Sequence, residues 1–201
     1  MRRIAAILFD GFEMLDMFGP LQMFGMLSDD FQIVTVAEAA GPVRASRGPE
    51  VVAERSFADG AAYELLLVPG GFGTRDQIEN PVLLDWLCQA SAQAEIVTSV
   101  CTGSALLAKA GVLDGLSATT NKRAFDWVAA QSDQVTWRKK ARWVEDGRFF
   151  TSSGVSAGID MSLAVIARLC GEEAAENAAI WAEYSANRDS ENDPFSLSGE
   201  T

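Results

Sequence analysis

Residues 96–110 read Ile-Val-Thr-Ser-Val-Cys-Thr-Gly-Ser-Ala-Leu-Leu-Ala-Lys-Ala. A β-branched run stops at Cys101, a glycine follows two residues later, and Ala105 to Ala110 is strong helix-forming sequence. The pattern predicts strand, turn and helix with Cys101 at the corner. Ser99 stands where the G-x-S-x-G nucleophile elbow has its first glycine. Such a corner lifts a side chain above a sheet in a strained turn, at the positive end of a helix that favours a thiolate. The chain has no histidine. Cysteine chemistry within one subunit must therefore run without an imidazole.

Outward from this corner, strand-like and helix-like segments alternate, which predicts an α/β fold with a mostly parallel sheet covered on both faces. Ile4 to Phe9 is the first expected strand. Pro20 is expected in the first turn of a helix that turns Leu21, Phe24 and Leu27 inward. Phe31 to Ala37 follows as a strand. Residues 41–57, broken by Pro42, Gly48 and Pro49, read as a hairpin or short edge strands. Leu65 to Val68 is a buried strand running into Pro69-Gly70-Gly71-Phe72-Gly73-Thr74.

Asn80-Pro81 opens a helix as N-cap and first residue, with Leu84, Leu87 and Cys88 expected on its apolar face. A further helix is expected over Lys122 to Ala130. Strands are expected at 135–137, 141–145 and 148–152, the last two joined by Asp146-Gly147. Ile159, Leu163, Ile166 and Cys170 mark a long helix, and Glu172 to Glu183 another. The sequence shows no repeat or linker, so one domain over 1–201 is expected, with a polar, irregular tail from about 186.

The chain has 201 residues, 48% of them hydrophobic, and a formal charge of -12. That length supports a well-packed α/β domain. The acidic balance excludes a nucleic-acid binder, which needs clustered Lys and Arg. No apolar run approaches the roughly 20 residues that span a bilayer, and the first strand leaves no room for a leader, so no membrane partner is expected. Cys88, Cys101 and Cys170 cannot all pair and lack zinc-site spacing, which points to a reducing cytoplasm and no metal. Cys88 and Cys170 lie on expected apolar helical faces and read as core residues. Asp160 and Trp181 read as structural or as subunit contacts.

Ligand sites of open α/β sheets lie beyond the carboxyl ends of the strands. Three such ends carry unusual residues here: the turn with Glu13 and Asp16, the Gly70-Gly71 loop and the Cys101 corner. A thiol, a carboxyl and a glycine-rich loop on one edge make a candidate active site for a small-molecule substrate. Residues 70–73 do not meet the dinucleotide fingerprint, and no cofactor is expected. Glu13 reads as solvated or hydrogen-bonded to the loop.

The chain resembles the ThiJ/PfpI superfamily, the class I glutamine-amidotransferase-like fold, through Leu8 to Pro20, Val68 to Gly73, Val100 to Ser104, Ala118 to Asn121 and Gly154 to Asp160. The resemblance implies a flavodoxin-like three-layer sandwich and a homodimer. It is greatest to the isocyanide hydratase branch, through Leu15-Asp16 ahead of Gly19-Pro20. That branch implies Cys101 as nucleophile, Asp16 as its acidic partner and Thr102 as the hydroxyl that tunes it. It also implies that the Gly71 N–H faces the cysteine, with Gly70 beside it. Asn121 departs from the histidine that many relatives carry after the Thr-Thr pair. Protease-like and glyoxalase-like activities lose support, and Asn121 becomes a residue that shapes the substrate pocket. Three functions stay open: a cofactor-independent hydratase or hydrolase, a redox sensor or stress-protective protein with an oxidisable Cys101, and a non-catalytic small-molecule binding module.

Overall fold

The computed structural model describes residues 1–196. The last five positions of the expected polar tail, 197–201, lie outside the described residues. Numbered in chain order, strands β1 (Arg2–Ile7), β2 (Phe31–Ala37), β5 (Arg55–Ser56), β6 (Leu65–Val68), β7 (Ile96–Val100), β10 (Trp143–Asp146) and β11 (Phe149–Ser152) form one sheet. Its order is β10-β11-β7-β6-β1-β2-β5, and only β10 runs antiparallel to its neighbour. Two small ribbons flank it: β3 (Gly41–Arg44) with β4 (Glu50–Ala53), and β8 (Ser117–Ala118) with β9 (Thr136–Trp137). The expected hairpin at 41–57 is present. So is the turn at Asp146-Gly147, where Gly147 adopts φ +61°.

All residues of β6 and β7 are buried, as central parallel strands must be when helices cover both faces. Connection geometry places those helices. The β1–β2 crossover adds a strand on one side and the β6–β7 crossover adds one on the other. Right-handed crossovers then put helix α1 (Met14–Gly25) and helix α3 (Pro81–Gln93) on opposite faces. Helices α6 (Ala157–Cys170) and α7 (Glu172–Trp181) pack with α1. The short helix α4 (Gly103–Lys109) packs with α3, and α2 (Thr74–Gln77) and α5 (Phe125–Ala129) pack with α4. This is the flavodoxin-like arrangement of sheet and helices. Gly158 is needed for the close approach of α6 to the sheet and α1. A Cβ there would lie 2.7 Å from Val100 Cγ2 and 3.3 Å from Pro20 Cγ.

Four expectations change. Pro20 lies inside α1, not in its first turn, because the helix already starts at Met14, one residue beyond Glu13, whose N–H is held by Gly70 O at 2.8 Å. Pro20 lacks the N–H that would reach the Asp16 carbonyl, and the helix tolerates the loss because its ring packs by Gly158. On α3 the buried face is Leu83, Leu87 and Ser91, so Cys88 points to solvent. Asn80 caps this helix as expected, accepting the N–H groups of Val82 and Leu83 at 3.0 and 3.4 Å. The helix expected over Lys122 to Ala130 shrinks to α5, since Asn121 turns the chain before it. Cys170 is only half-buried at the end of α6, where it packs against the edge of the core.

Asp160 is structural. Its carboxylate binds the buried Arg142 guanidinium, with Nε at 2.7 Å, and accepts the Tyr184 hydroxyl at 3.0 Å and the Asn187 N–H at 2.9 Å. Asp193 lies 3.6 Å from the same guanidinium. This buried cluster fastens the irregular segment after Ala186 to the sheet.

Candidate active site

Registers of the central strands align their carboxyl ends: Val68 pairs with Ser99, Val100 with Ser152, and Ala6 with Leu67. The segments that follow β1, β6, β7 and β11 therefore meet on one edge, where the chain order reverses between β1 and β6. Ligand-binding crevices form at such points. Here they bring together Asp16, Gly70-Gly71, Cys101 and Val155.

Cys101 adopts φ +58° directly after β7, and Thr102 precedes α4. Its N–H donates to the carbonyls of Ser152 and Ser153 at 3.2 Å, and its carbonyl accepts from Thr120 Oγ1 at 2.8 Å and Ser104 Oγ at 3.1 Å. The strained conformation is thus fixed by neighbouring strands and leaves only the side chain to vary. Val155 is a second non-glycine in the left-handed region, at φ +52°. A β-branched residue rarely sits there, and such strain concentrates at functional sites.

Asp16, on the first turn of α1, is fully buried. Its Oδ2 accepts the Gly70 N–H at 2.9 Å. Its Oδ1 has no hydrogen-bond partner among the described residues, and the Cys101 side chain and the Val155 N–H both face the carboxyl. Gly70 makes this approach possible. A Cβ there would lie 2.6 Å from Thr102 N and Oγ1, and 2.8 Å from Asp16 Oδ2. The expected contact of the Gly71 N–H with the cysteine is replaced by a bond to Thr102 Oγ1 at 3.0 Å, which also lies 3.1 Å from Thr74 Oγ1. Thr102 therefore ties the Gly70-Gly71 loop to the cysteine corner.

Asn121 Oδ1 accepts the N–H groups of Arg123 and Ala124 at 2.9 and 3.1 Å. Those two donors fix the amide's orientation and leave Nδ2 as the group offered to the sulfur. An amide donor thus stands in the position expected to reshape the pocket. The backbone N–H of Val155 faces both Asp16 and Cys101. Sequence reasoning missed Val155. Its available signal was Gly154-Val155 at the head of the 154–160 motif.

Electrostatics decide where the proton of the Asp16–Cys101 pair rests. Burial, opposed by the Gly70 N–H and reinforced by the Glu13 charge, pushes the Asp16 carboxyl up to about 7. Burial, and then the Asp16 charge, holds the Cys101 thiol above its ordinary value. The N–H groups of Thr102 and Val155 and the Asn121 amide oppose this only in part. With Asp16 ionised, the proton therefore rests on sulfur. The two groups titrate as a pair.

The thiol opens to a cavity of about 340 Å³ lined by Glu13, Phe72, Arg75, Asn121, Arg123 and Val155, among others. A hollow of about 450 Å³ between α6, α7 and the segment after Ala186 contains none of the expected catalytic residues. Among the described residues no group of three His, Cys, Asp or Glu is placed to hold a metal ion. No described helix is long and apolar enough to cross a membrane.

A family model described as DJ-1/PfpI matches residues 2–168. The chain belongs to the DJ-1/PfpI family. Among its relatives is the isonitrile hydratase of Pseudomonas putida, 35% identical over 182 residues, covering 90% of this chain and 78% of that protein. A solved DJ-1/PfpI relative, a ThiJ/PfpI family protein from Pseudomonas syringae, superposes with a TM-score of 0.84 at 32% identity, covering 92% of this chain and 76% of that one. The HTH-type transcriptional regulator CdhR of Pseudomonas aeruginosa is 33% identical over 135 residues, and the matched part is 40% of its length. The isocyanide hydratase branch of the DJ-1/PfpI family is thus where the sequence resemblance and the comparisons meet.

Proposed function

We propose that this protein hydrates an isocyanide, R–N≡C, to the N-substituted formamide R–NH–CHO, with Cys101 as nucleophile and Asp16 as proton carrier. The observation that carries this reading is the fully buried Asp16 carboxyl set against the Cys101 side chain, with Oδ1 left without a hydrogen-bond partner among the described residues. A carboxylate so placed takes the thiol proton as sulfur attacks, and delivers it to the terminal carbon. The S–C bond forms and the C–H bond forms, giving the thioimidate R–N=CH–S–Cys101. Asp16 then takes a proton from water as its oxygen adds to the same carbon. Asp16 passes that proton to the substrate nitrogen, the C–S bond breaks as the remaining hydroxyl proton returns to the sulfur, and the formamide R–NH–CHO leaves. Negative charge on sulfur is met by the Thr102 and Val155 N–H groups and the Asn121 amide. The reaction as written needs only these side chains and water.

Burial of the sulfur and its raised pKa count against the oxidation-sensor reading, because sensors expose a low-pKa thiolate. We take the chain as one functional domain, expected to work as a homodimer in the cytoplasm. The test is formamide release from a panel of alkyl isocyanides by the native protein and by Cys101→Ala. Release that depends on Cys101 supports the reading. Release unchanged in Cys101→Ala, or none with any isocyanide, overturns it.

A further inference from the structure

The cavity above Cys101 carries an unused feature at its rim. Arg75 and Arg123 both line it, both are exposed, and neither forms an ion pair or side-chain hydrogen bond among the described residues. Nine other Lys and Arg side chains of this acidic chain do have ion-pair partners. Arg75 is nevertheless held in place. Its Cζ lies 4.7 Å from the Trp127 ring centroid and 5.6 Å from that of Phe72. Arg47 stacks on Phe72 as well, at 5.5 Å. Stacking uses the faces of a guanidinium and leaves its N–H edges free for a bidentate acceptor.

Charge is segregated within the cavity. Glu13 is half-buried and near enough to Asp16 to raise its pKa, so the floor beside the thiol is acidic. The rim is basic. Arg123 also borders an adjoining hollow of about 460 Å³, where Lys122 adds a further positive charge. A substrate with a neutral reacting carbon and an anionic far end matches this polarity, and Phe72 and Val155 offer an apolar wall between.

We propose that the substrate's R group carries a carboxylate or similar anion, bound at the cavity rim by Arg75 and Arg123. This rests on the hydratase reading for the reacting group and not for the anion site itself. The kinetic test compares isocyanoacetate with methyl isocyanoacetate, which differ chiefly in charge. The expected kcat/KM is at least about tenfold higher for the acid, the scale of a charge-assisted bond. That ratio falls toward one in Arg123→Gln and in Arg75→Gln, and at high salt.

The second test needs no turnover. Cys101 is alkylated with iodoacetate or iodoacetamide, with exposed Cys88 as the reference in the same sample. The iodoacetate preference at Cys101, relative to Cys88, is expected to drop several-fold in the Arg123→Gln and Arg75→Gln variants. If no isocyanide is consumed but the alkylation ratio responds to the arginines, the hydratase reading fails and the anion site stands. An alkylation ratio unmoved by both variants, or equal turnover of acid and ester, overturns the anion site.

Discussion

The Gly70 backbone N–H donates to Asp16 Oδ2 at 2.9 Å, which commits one carboxylate oxygen to the scaffold and leaves the other without a hydrogen-bond partner among the described residues, in a carboxyl that faces the Cys101 side chain. Attack requires the pair to hold one proton between two sites. Below about pH 7 it holds two, because burial raises the Asp16 carboxyl to about 7. The thiol is held above its ordinary value, so the second proton is lost only in alkali. The expected kcat/KM therefore rises with a midpoint near pH 7 and stays level to about pH 9. Asp16→Asn flattens the profile and lowers it about 10²–10⁴-fold, the usual worth of general acid–base help. A pH profile of both proteins checks this.

Burial of Asp16 also has a stability consequence. The native protein binds this proton more tightly than the unfolded chain, whose carboxyl titrates near 3.8. Stability from this group is greatest below about pH 4 and is lost as pH rises to about 7. Asn in place of Asp carries no such penalty and still accepts the Gly70 N–H. Asp16→Asn is expected to be more stable than the native protein at pH 8 by roughly 2–4 kcal/mol, and no more stable at pH 4. Urea melts at the two pH values measure the difference. A variant less stable at pH 8 contradicts the burial argument.

Gly70→Ala tests the tightness of the corner. Its Cβ meets the backbone N of Thr102 and the Asp16 carboxylate, neither of them a flexible chain end. Overpacking of this kind costs about 1–3 kcal/mol. Activity is expected to fall more than about 10²-fold, since a 1 Å displacement of catalytic groups has that effect. Thermal melting and turnover of the variant give both numbers.

Asn121→Asp separates the two jobs of the amide. The aspartate oxygen still accepts the Arg123 and Ala124 N–H groups, so the turn is expected to keep its stability. It offers no donor to sulfur and adds a negative charge, which pushes the thiol still higher. Alkylation of Cys101 at pH 8 is expected to slow by about tenfold or more, with little change in Tm. Equal alkylation rates would show that Nδ2 does not serve the sulfur.

Much of this was legible in the chain. The Ile96 to Ala110 pattern marks the corner because β-branched and helix-forming runs abut at one cysteine. The leucine run of β6 marks a strand covered on both faces. Helix phase was harder. Leu83, Leu84, Leu87 and Cys88 fit two faces equally, and tertiary packing chose the one that exposes Cys88. Pro20 misled because a proline suits a first turn, while the real start was set by a distant bond from Glu13 to Gly70. The protonation of the pair was illegible for the same reason: burial of Asp16 depends on four loops that meet only in the fold. Arg75 and Arg123 carried no motif, and only their place on the cavity rim makes them notable.

The covalent role of Cys101 is most directly read by rapid-quench intact mass spectrometry during turnover of an isocyanide. An adduct on Cys101 equal to the full mass of the isocyanide, formed before the formamide and decaying as it appears, is the predicted result. Steady formamide release with no adduct on Cys101 at any time would contradict it.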